Sequence, residues 1–148
     1  MKSVVSSSPE STMRVASHLA KGLTGGEIIA LYGGLGMGKT CFVKGLASGL
    51  GFSGEVTSPT FAIVNEYIGG RLDLFHFDMY RITGWDDLYS TGYFEYLDAG
   101  GVVAVEWSEN IEGALQSENV ITVTIERISE SERKITICGG EDDENTGC

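Results

Sequence analysis

Apolar and polar residues form several distinct patterns along the chain, and each pattern predicts an element of secondary structure. Ser8-Pro9-Glu10 is typical of a helix start. Apolar residues at helical spacing follow it, which predicts an amphipathic helix over residues 9–23. Ile28–Tyr32 is a continuous apolar run between glycines, typical of a strand buried on both faces. After a glycine-rich loop, Cys41–Leu50 carries apolar residues on one helical face and predicts a second helix.

The second half of the chain consists mainly of short strand patterns. Two of them flank Gly69-Gly70 and predict a hairpin, and the last two alternate apolar and polar residues as paired strands near a sheet edge do. The predicted elements, in order, are strands at Phe61–Ile68 and Leu72–Phe77, helical turns within Asp86–Leu97 broken at Gly92, a buried strand at Val102–Trp107, a short helix over 108–116, and strands at Asn119–Arg127 and Arg133–Cys138.

The loop between the first strand and the second helix matches the phosphate-binding pattern G-x-x-x-x-G-K-[ST] over Gly33–Thr40. Glycine lets backbone N–H groups converge on phosphate oxygens, and the first turn of the helix adds unpaired N–H groups and the positive end of a dipole. The lysine of this pattern reaches the β- and γ-phosphates, and its hydroxyl ligates Mg²⁺. We therefore predict ATP and Mg²⁺ as ligands, with contacts from Gly33, Leu35, Gly36, Met37, Gly38, Lys39, Thr40 and Cys41.

A phosphate loop needs an acid to hold the metal, usually at the end of a neighbouring buried strand. Asp78 ends the strand that contains His76, and Glu106 ends a fully apolar strand, so both are candidate metal ligands and catalytic acids beside Thr40 and Lys39. The pattern fits either acid to either role. For His76, the alternation with its phenylalanine neighbours favours a hydrogen-bonded core or sheet-face residue over a ligand.

Charge is distributed unevenly along the 148 residues. The formal net charge is −11; residues 1–70 carry a balance of +1 and residues 71–148 a balance of −12. Phosphate contacts need a basic surface, so this balance argues against a chain that binds nucleic acid by itself.

Neither a membrane-length apolar stretch nor the apolar core of a signal peptide is present, so we expect a cytoplasmic protein without a membrane partner. We expect one domain over 1–140 and an acidic, disordered tail over 141–148.

These motifs, in this order, resemble the TsaE (YjeE) family, the ATPases of bacterial tRNA threonylcarbamoyladenosine synthesis. Beyond the glycine loop, the resemblance rests on Val56–Phe61, Asn65–Tyr67, His76–Arg81 and Val105–Trp107, and it covers about residues 5–138. It implies a single-domain α/β fold of the P-loop NTPase type, with a mostly parallel central sheet, antiparallel hairpin and edge strands, and flanking helices.

The resemblance also implies roles for single residues. It puts Lys39 on the phosphates, Thr40 and Glu106 on Mg²⁺, Asp78 at a position essential for hydrolysis, and Trp107 near the nucleotide. Residues at the start of the first helix, together with Arg133, are implied at the adenine end. The family usually has Asp where this chain has Gly34 and Ala where it has Met37.

The function implied is ATP hydrolysis that supports a protein complex, with TsaD and TsaB as partners, which transfers threonylcarbamoyl to adenosine 37 of tRNA; tRNA would be contacted only indirectly. An alternative is a small-molecule or nucleotide kinase that uses the same loop, although the chain has few arginines and no obvious lid insertion. A GTP-driven switch is a second alternative, although the guanine-reading N-K-x-D pattern is absent from the sequence.

Overall fold

The computed structural model describes residues 2–33, 38–54, 63–115 and 119–139. It consists of one seven-stranded sheet with helices on both faces. In chain order the elements are β1 (Lys2–Ser6), α1 (Pro9–Ala20), β2 (Ile28–Tyr32), α2 (Lys39–Gly49), β3 (Val64–Tyr67), β4 (Leu74–Asp78), α3 (Trp85–Ser90), α4 (Tyr93–Leu97), β5 (Val102–Glu106), a 3-10 helix (Ser108–Ala114), β6 (Val120–Arg127) and β7 (Arg133–Cys138).

The strands lie in the order β1-β7-β6-β2-β5-β4-β3. The four central strands, β6, β2, β5 and β4, run parallel to one another. The outer pairs, β3 with β4, β6 with β7 and β7 with β1, are antiparallel. The predicted single α/β domain with a parallel centre and antiparallel edges is therefore confirmed, and the carboxyl ends of β2, β4 and β5 lie along one edge of the sheet.

The sheet has an apolar core on each face. On one face, Phe42 and Leu46 of α2 and Ala16 of α1 pack against Ile29 and Ala104 of the central strands. On the other face, α3, α4 and the 3-10 helix bury a second set of side chains, which includes Leu88, Tyr93, Phe77, Val105 and Ile111. Alternate residues of a strand point to opposite faces, so each apolar central strand contributes to both cores.

Helices α1 and α2 pack unusually close together because α2 carries two glycines on the contact side. A Cβ atom at Gly45 would fall on the carbonyl oxygen of Met13, and one at Gly49 would lie 2.5 Å from the carbonyl oxygen of Ser17. The absence of these Cβ atoms lets the two backbones touch. This contact fixes the orientation of α2 and therefore the position of its first turn.

Several boundaries differ from the predictions; for example, α1 ends at Ala20 and not at residue 23, and β4 covers Leu74–Asp78 instead of Leu72–Phe77. Strand β1 was not predicted; its residues are mostly exposed, and it is held by backbone pairing with β7 rather than by an apolar pattern. Helix α2 begins at Lys39, two residues before the predicted apolar face. The predicted ligand contacts of Leu35, Gly36 and Met37, the Val56–Phe61 part of the resemblance and the tail 141–148 lie outside the described residues. Among the described helices, none has the length and apolar content to cross a membrane.

Candidate functional site

The first turn of α2 lies at the end of β2, where Gly33 follows the strand and Gly38 caps the helix. Gly38 has φ 103°, in the left-handed region that glycine adopts without strain, and no side chain of the described residues caps the helix start. Among the described residues, no heavy atom lies within 4 Å of the place where a Cβ atom of Gly38 would be. The start of α2 therefore has a glycine N-cap and, among the described residues, no side chain that pairs with its first N–H groups, which is an arrangement suited to an anion.

Lys39 brings a positive charge to the same place. The residue is 6% exposed, and its Nζ atom has no hydrogen-bond partner among the residues that the structure describes. Nζ lies 4.5 Å from the centroid of the Trp107 ring, a cation–π contact. An ammonium group without a hydrogen bond is costly to bury, so the site favours an anionic ligand that would supply the missing partner.

Glu106, at the end of β5, is an acid in contact with this helix start. It is 8% exposed, and its Oε1 atom accepts a hydrogen bond of 3.3 Å from the hydroxyl of Thr40. The Nε2 atom of His76 lies 3.6 Å from the same oxygen. Burial raises the pKa of the Glu106 carboxyl, but His76, the Lys39 ammonium and the Thr40 hydroxyl together outweigh burial, so the pKa lies below its usual value. The carboxylate is therefore charged at neutral pH.

Asp78 lies beside Glu106 but in different surroundings. The two residues are opposite each other in the parallel β4–β5 register. Asp78 is exposed, and its Oδ1 atom accepts a hydrogen bond of 3.0 Å from the backbone N–H of Tyr80, which closes a turn after the strand. Both predicted acids therefore lie at one sheet edge, one buried against α2 and the other facing solvent.

Trp107 is held in a backbone conformation that is rare for its residue type. Its φ is 59°, the one positive φ of a non-glycine residue in the described part of the chain. A bulky residue in this region is strained, and such strain concentrates at functional sites. The conformation puts the indole between the Lys39 ammonium and the Tyr80 ring, whose centroid is 5.0 Å away.

A cavity of about 400 Å³ opens beside the helix start. Gly38 and Cys41 form one wall, the start of α1 at Pro9 and Thr12 another, and Arg133 with Glu130 a third. The residues expected at the adenine end therefore meet next to the loop. The Nη1 atom of Arg133 also donates hydrogen bonds to three carbonyl oxygens of the β6–β7 turn.

His76 lies buried on the face of the sheet, as its alternation with phenylalanine neighbours predicted. Neither ring nitrogen has a hydrogen-bond partner among the described residues. Its ring faces Glu106 instead of a neutral acceptor. His76 and Asp78 are two residues apart on β4, so their side chains lie on the same face of the sheet. Glu106 is opposite Asp78 and lies on that face too.

The donor set fits a magnesium-bound phosphate better than a metal ion held by protein alone. In the described ranges no cluster of three or more His, Cys, Asp or Glu side chains forms a metal centre. Mg²⁺ is commonly bound through one or two carboxylates together with phosphate oxygens. The Thr40 hydroxyl, the Glu106 carboxylate and the Lys39 ammonium, which has no hydrogen-bond partner among the described residues, would be the protein's share of such an arrangement.

Fold and site together define a single-domain α/β protein with a mixed seven-stranded sheet and a polar site at the carboxyl edge of its parallel strands. A family model described as threonylcarbamoyl adenosine biosynthesis protein TsaE matches residues 6–135. The chain belongs to the TsaE family, which confirms the resemblance seen in the sequence.

Individual relatives cover nearly the whole chain. The tRNA threonylcarbamoyladenosine biosynthesis protein TsaE of Treponema pallidum is 39% identical over 133 residues, which is 90% of this chain and 97% of that protein. The TsaE protein of Aquifex aeolicus is 39% identical over 139 residues, 93% of this chain and 96% of that protein. The crystal structure of YdiB from Bacillus subtilis matches with a TM-score of 0.73 and 37% identity, over 92% of this chain and 83% of that one.

Proposed function

We propose that this protein is a P-loop ATPase that binds ATP with Mg²⁺ at the start of α2 and hydrolyses it in support of tRNA threonylcarbamoyladenosine synthesis. The observation that carries the proposal is the buried Lys39 ammonium, which has no hydrogen-bond partner among the described residues and lies at a glycine-capped helix start. The family membership supports the tRNA-modification part of the proposal.

The residues at the helix start bind and orient the phosphates. Lys39 and the N–H groups of the first turn of α2 neutralise phosphate charge, and they act strongly because they are fixed in place before the ligand arrives. Thr40 and Glu106 would hold Mg²⁺, which when bound supplies positive charge to the phosphate oxygens. The cavity lined by Pro9, Thr12 and Arg133 would take the adenosine end of the nucleotide.

Asp78 is suited to a different task from that of Glu106. Its carboxylate is exposed at the sheet edge and is not buried against Thr40. A carboxylate in this position can orient an attacking water or accept its proton. We assign Asp78 to the water and Glu106 to the metal.

This assignment predicts different defects for two conservative substitutions. Glu106→Gln keeps the side-chain shape but removes a negative charge from the metal site, so the affinity for ATP should fall at least about tenfold, or about 1.4 kcal/mol, only when Mg²⁺ is present. Asp78→Asn keeps the acceptor for the Tyr80 N–H group, so the fold and ATP binding should persist while kcat falls. Calorimetric titration of ATP with and without Mg²⁺, together with phosphate-release rates, separates the two effects.

Glu109→Gln is a matched control, because Glu109 is an exposed acid three residues beyond Glu106 and loses the same charge. We expect this variant to bind and hydrolyse ATP as the unmodified chain does. A metal-dependent binding defect in Asp78→Asn, with normal metal-dependent binding in Glu106→Gln, would show that the two acids have been assigned the wrong way round.

The proposed partners are TsaD and TsaB, which would carry out threonylcarbamoyl transfer to adenosine 37 of tRNA. We expect this chain to act with them in the cytoplasm. The balance of −12 over residues 71–148 supports a helper that does not hold the tRNA directly, since an acidic surface repels phosphate. We therefore expect the isolated chain to bind tRNA weakly and the partner proteins to provide the tRNA contacts.

Reconstitution tests the whole proposal. Threonylcarbamoyl transfer to tRNA is measured with purified TsaD and TsaB, with ATP and the threonylcarbamoyl donor, in the presence of this chain, of its Lys39→Ala variant, or of neither. We expect sustained transfer only with the unmodified chain. Equal transfer in all three reactions would overturn the role in modification, and radiolabelled γ-phosphate appearing on a small-molecule acceptor would favour a kinase.

A further inference from the structure

His76 is a buried polar side chain to which the proposed mechanism gives no task. It is 7% exposed and lies between Phe75 and Phe77 on β4, and neither of its ring nitrogens has a hydrogen-bond partner in the described part of the chain. An apolar side chain at this position would avoid the cost of burying an unpaired polar ring. The histidine is therefore poorly explained as core filling.

The register of the sheet directs this ring toward Glu106. His76 is opposite Ala104, and Asp78 is opposite Glu106, so His76 and Glu106 lie on the same face of neighbouring parallel strands. The Nε2 atom lies 3.6 Å from Oε1 of Glu106. The Thr40 hydroxyl lies 3.3 Å from the same oxygen, so two side chains from different elements approach one carboxylate oxygen.

We propose that His76 is a positioning residue for Glu106. Together with Thr40 it contacts one carboxylate oxygen, and it keeps the carboxylate in its orientation before a magnesium–phosphate ligand binds. This inference rests on the proposed function. In ligand-free sites such contacts are often long and tighten when the ligand arrives. Partners that hold a metal ligand in orientation are worth on the order of tenfold or more in affinity or activity.

The test compares three substitutions of His76 in the full chain. His76→Phe keeps an aromatic ring and removes both nitrogens. His76→Gln and His76→Asn both carry an amide, but the glutamine amide reaches as far as Nε2, whereas the asparagine amide stops near the place of Nδ1. We expect His76→Phe and His76→Asn to raise the Kd for ATP on the order of tenfold with Mg²⁺ and to leave it unchanged without Mg²⁺. His76→Gln should recover most of the affinity.

A double-substitution cycle shows whether His76 acts through Glu106. If it does, adding His76→Phe to the Glu106→Gln chain should cause no further loss, because the carboxylate that the ring positions is already gone. Melting temperatures of all variants are recorded alongside the titrations.

Three results would overturn the inference: normal Mg²⁺-dependent affinity in folded His76→Phe, equal losses with and without Mg²⁺, or losses that add fully in the Glu106→Gln background. If His76→Phe does not fold, the glutamine and asparagine pair decides, and equal affinity of these two variants rejects the positioning role. Absence of Mg²⁺-dependent ATP binding in the unmodified chain would instead refute the proposed function.

Discussion

Lys39→Ala is expected to abolish measurable ATP hydrolysis and to weaken ATP binding while leaving the protein folded. The ammonium is buried at the helix start without a hydrogen bond among the described residues, so its charge is available to a phosphate ligand. Loss of one fixed electrostatic group of this kind lowers kcat roughly 100- to 1,000-fold. The same substitution removes a poorly solvated charge, so the free energy of unfolding should stay the same or rise.

Lys44→Ala provides the matched control. Lys44 is exposed on the same helix and its substitution changes the net charge equally, but it is not part of the phosphate site. Titration with a fluorescent ATP analogue and phosphate-release assays on both variants should show a defect in Lys39→Ala alone. Unchanged affinity and turnover in Lys39→Ala would remove the start of α2 as the nucleotide site.

Gly45→Ala is expected to destabilise the protein, although alanine is a much better helix former than glycine. Helix propensity alone predicts a gain of about 1 kcal/mol. The new methyl group, however, would meet the Met13 carbonyl oxygen and lie 2.7 Å from the Cβ atom of Ala16. Overpacking against backbone costs about 1–3 kcal/mol and occasionally more, so the clash should outweigh the propensity. Urea denaturation measures the net effect as a shift in the transition midpoint.

Ser48→Ala reports the propensity effect without the clash, because Ser48 is exposed on the same helix. This variant should be as stable as the unmodified chain or slightly more stable. A Gly45→Ala protein that is also more stable would mean that α1 and α2 are not in backbone contact. Because this contact orients α2, we further expect ATP affinity to fall in Gly45→Ala.

Apolar patterning was sufficient to predict most of the elements. Ile28–Tyr32 was predicted with its observed bounds because a strand buried on both faces is a continuous apolar run. The break at Gly92 between α3 and α4 was also predicted, and Gly92 has φ 80° there. Helix α2 was predicted to start too late, since Lys39 and Thr40 are polar and belong to the helix for reasons that periodicity does not detect.

Other features depend on contacts between distant segments, and local patterns could not reveal them. Strand β1 has four exposed residues out of five and exists because β7 offers it a backbone partner. The left-handed conformation of Trp107 contradicts its residue preference, and its ring contacts Lys39 and Tyr80 from distant parts of the chain. The contact of His76 with Glu106 required the register of β4 and β5.

The pairing of β1 with β7 also determines when, during synthesis, the cavity beside α2 can form. Ser6 and Arg133 are opposite each other in this pairing, and both line the cavity. A chain leaves the ribosome from its amino end, so Ser6 emerges long before the strand that will hold it. The sheet neighbours of β2, which are β5 and β6, also emerge after it, and the cavity wall waits longest, for β7 near the end of the described chain. The cavity beside α2 is therefore completed only after β7 has been translated and has paired with β1.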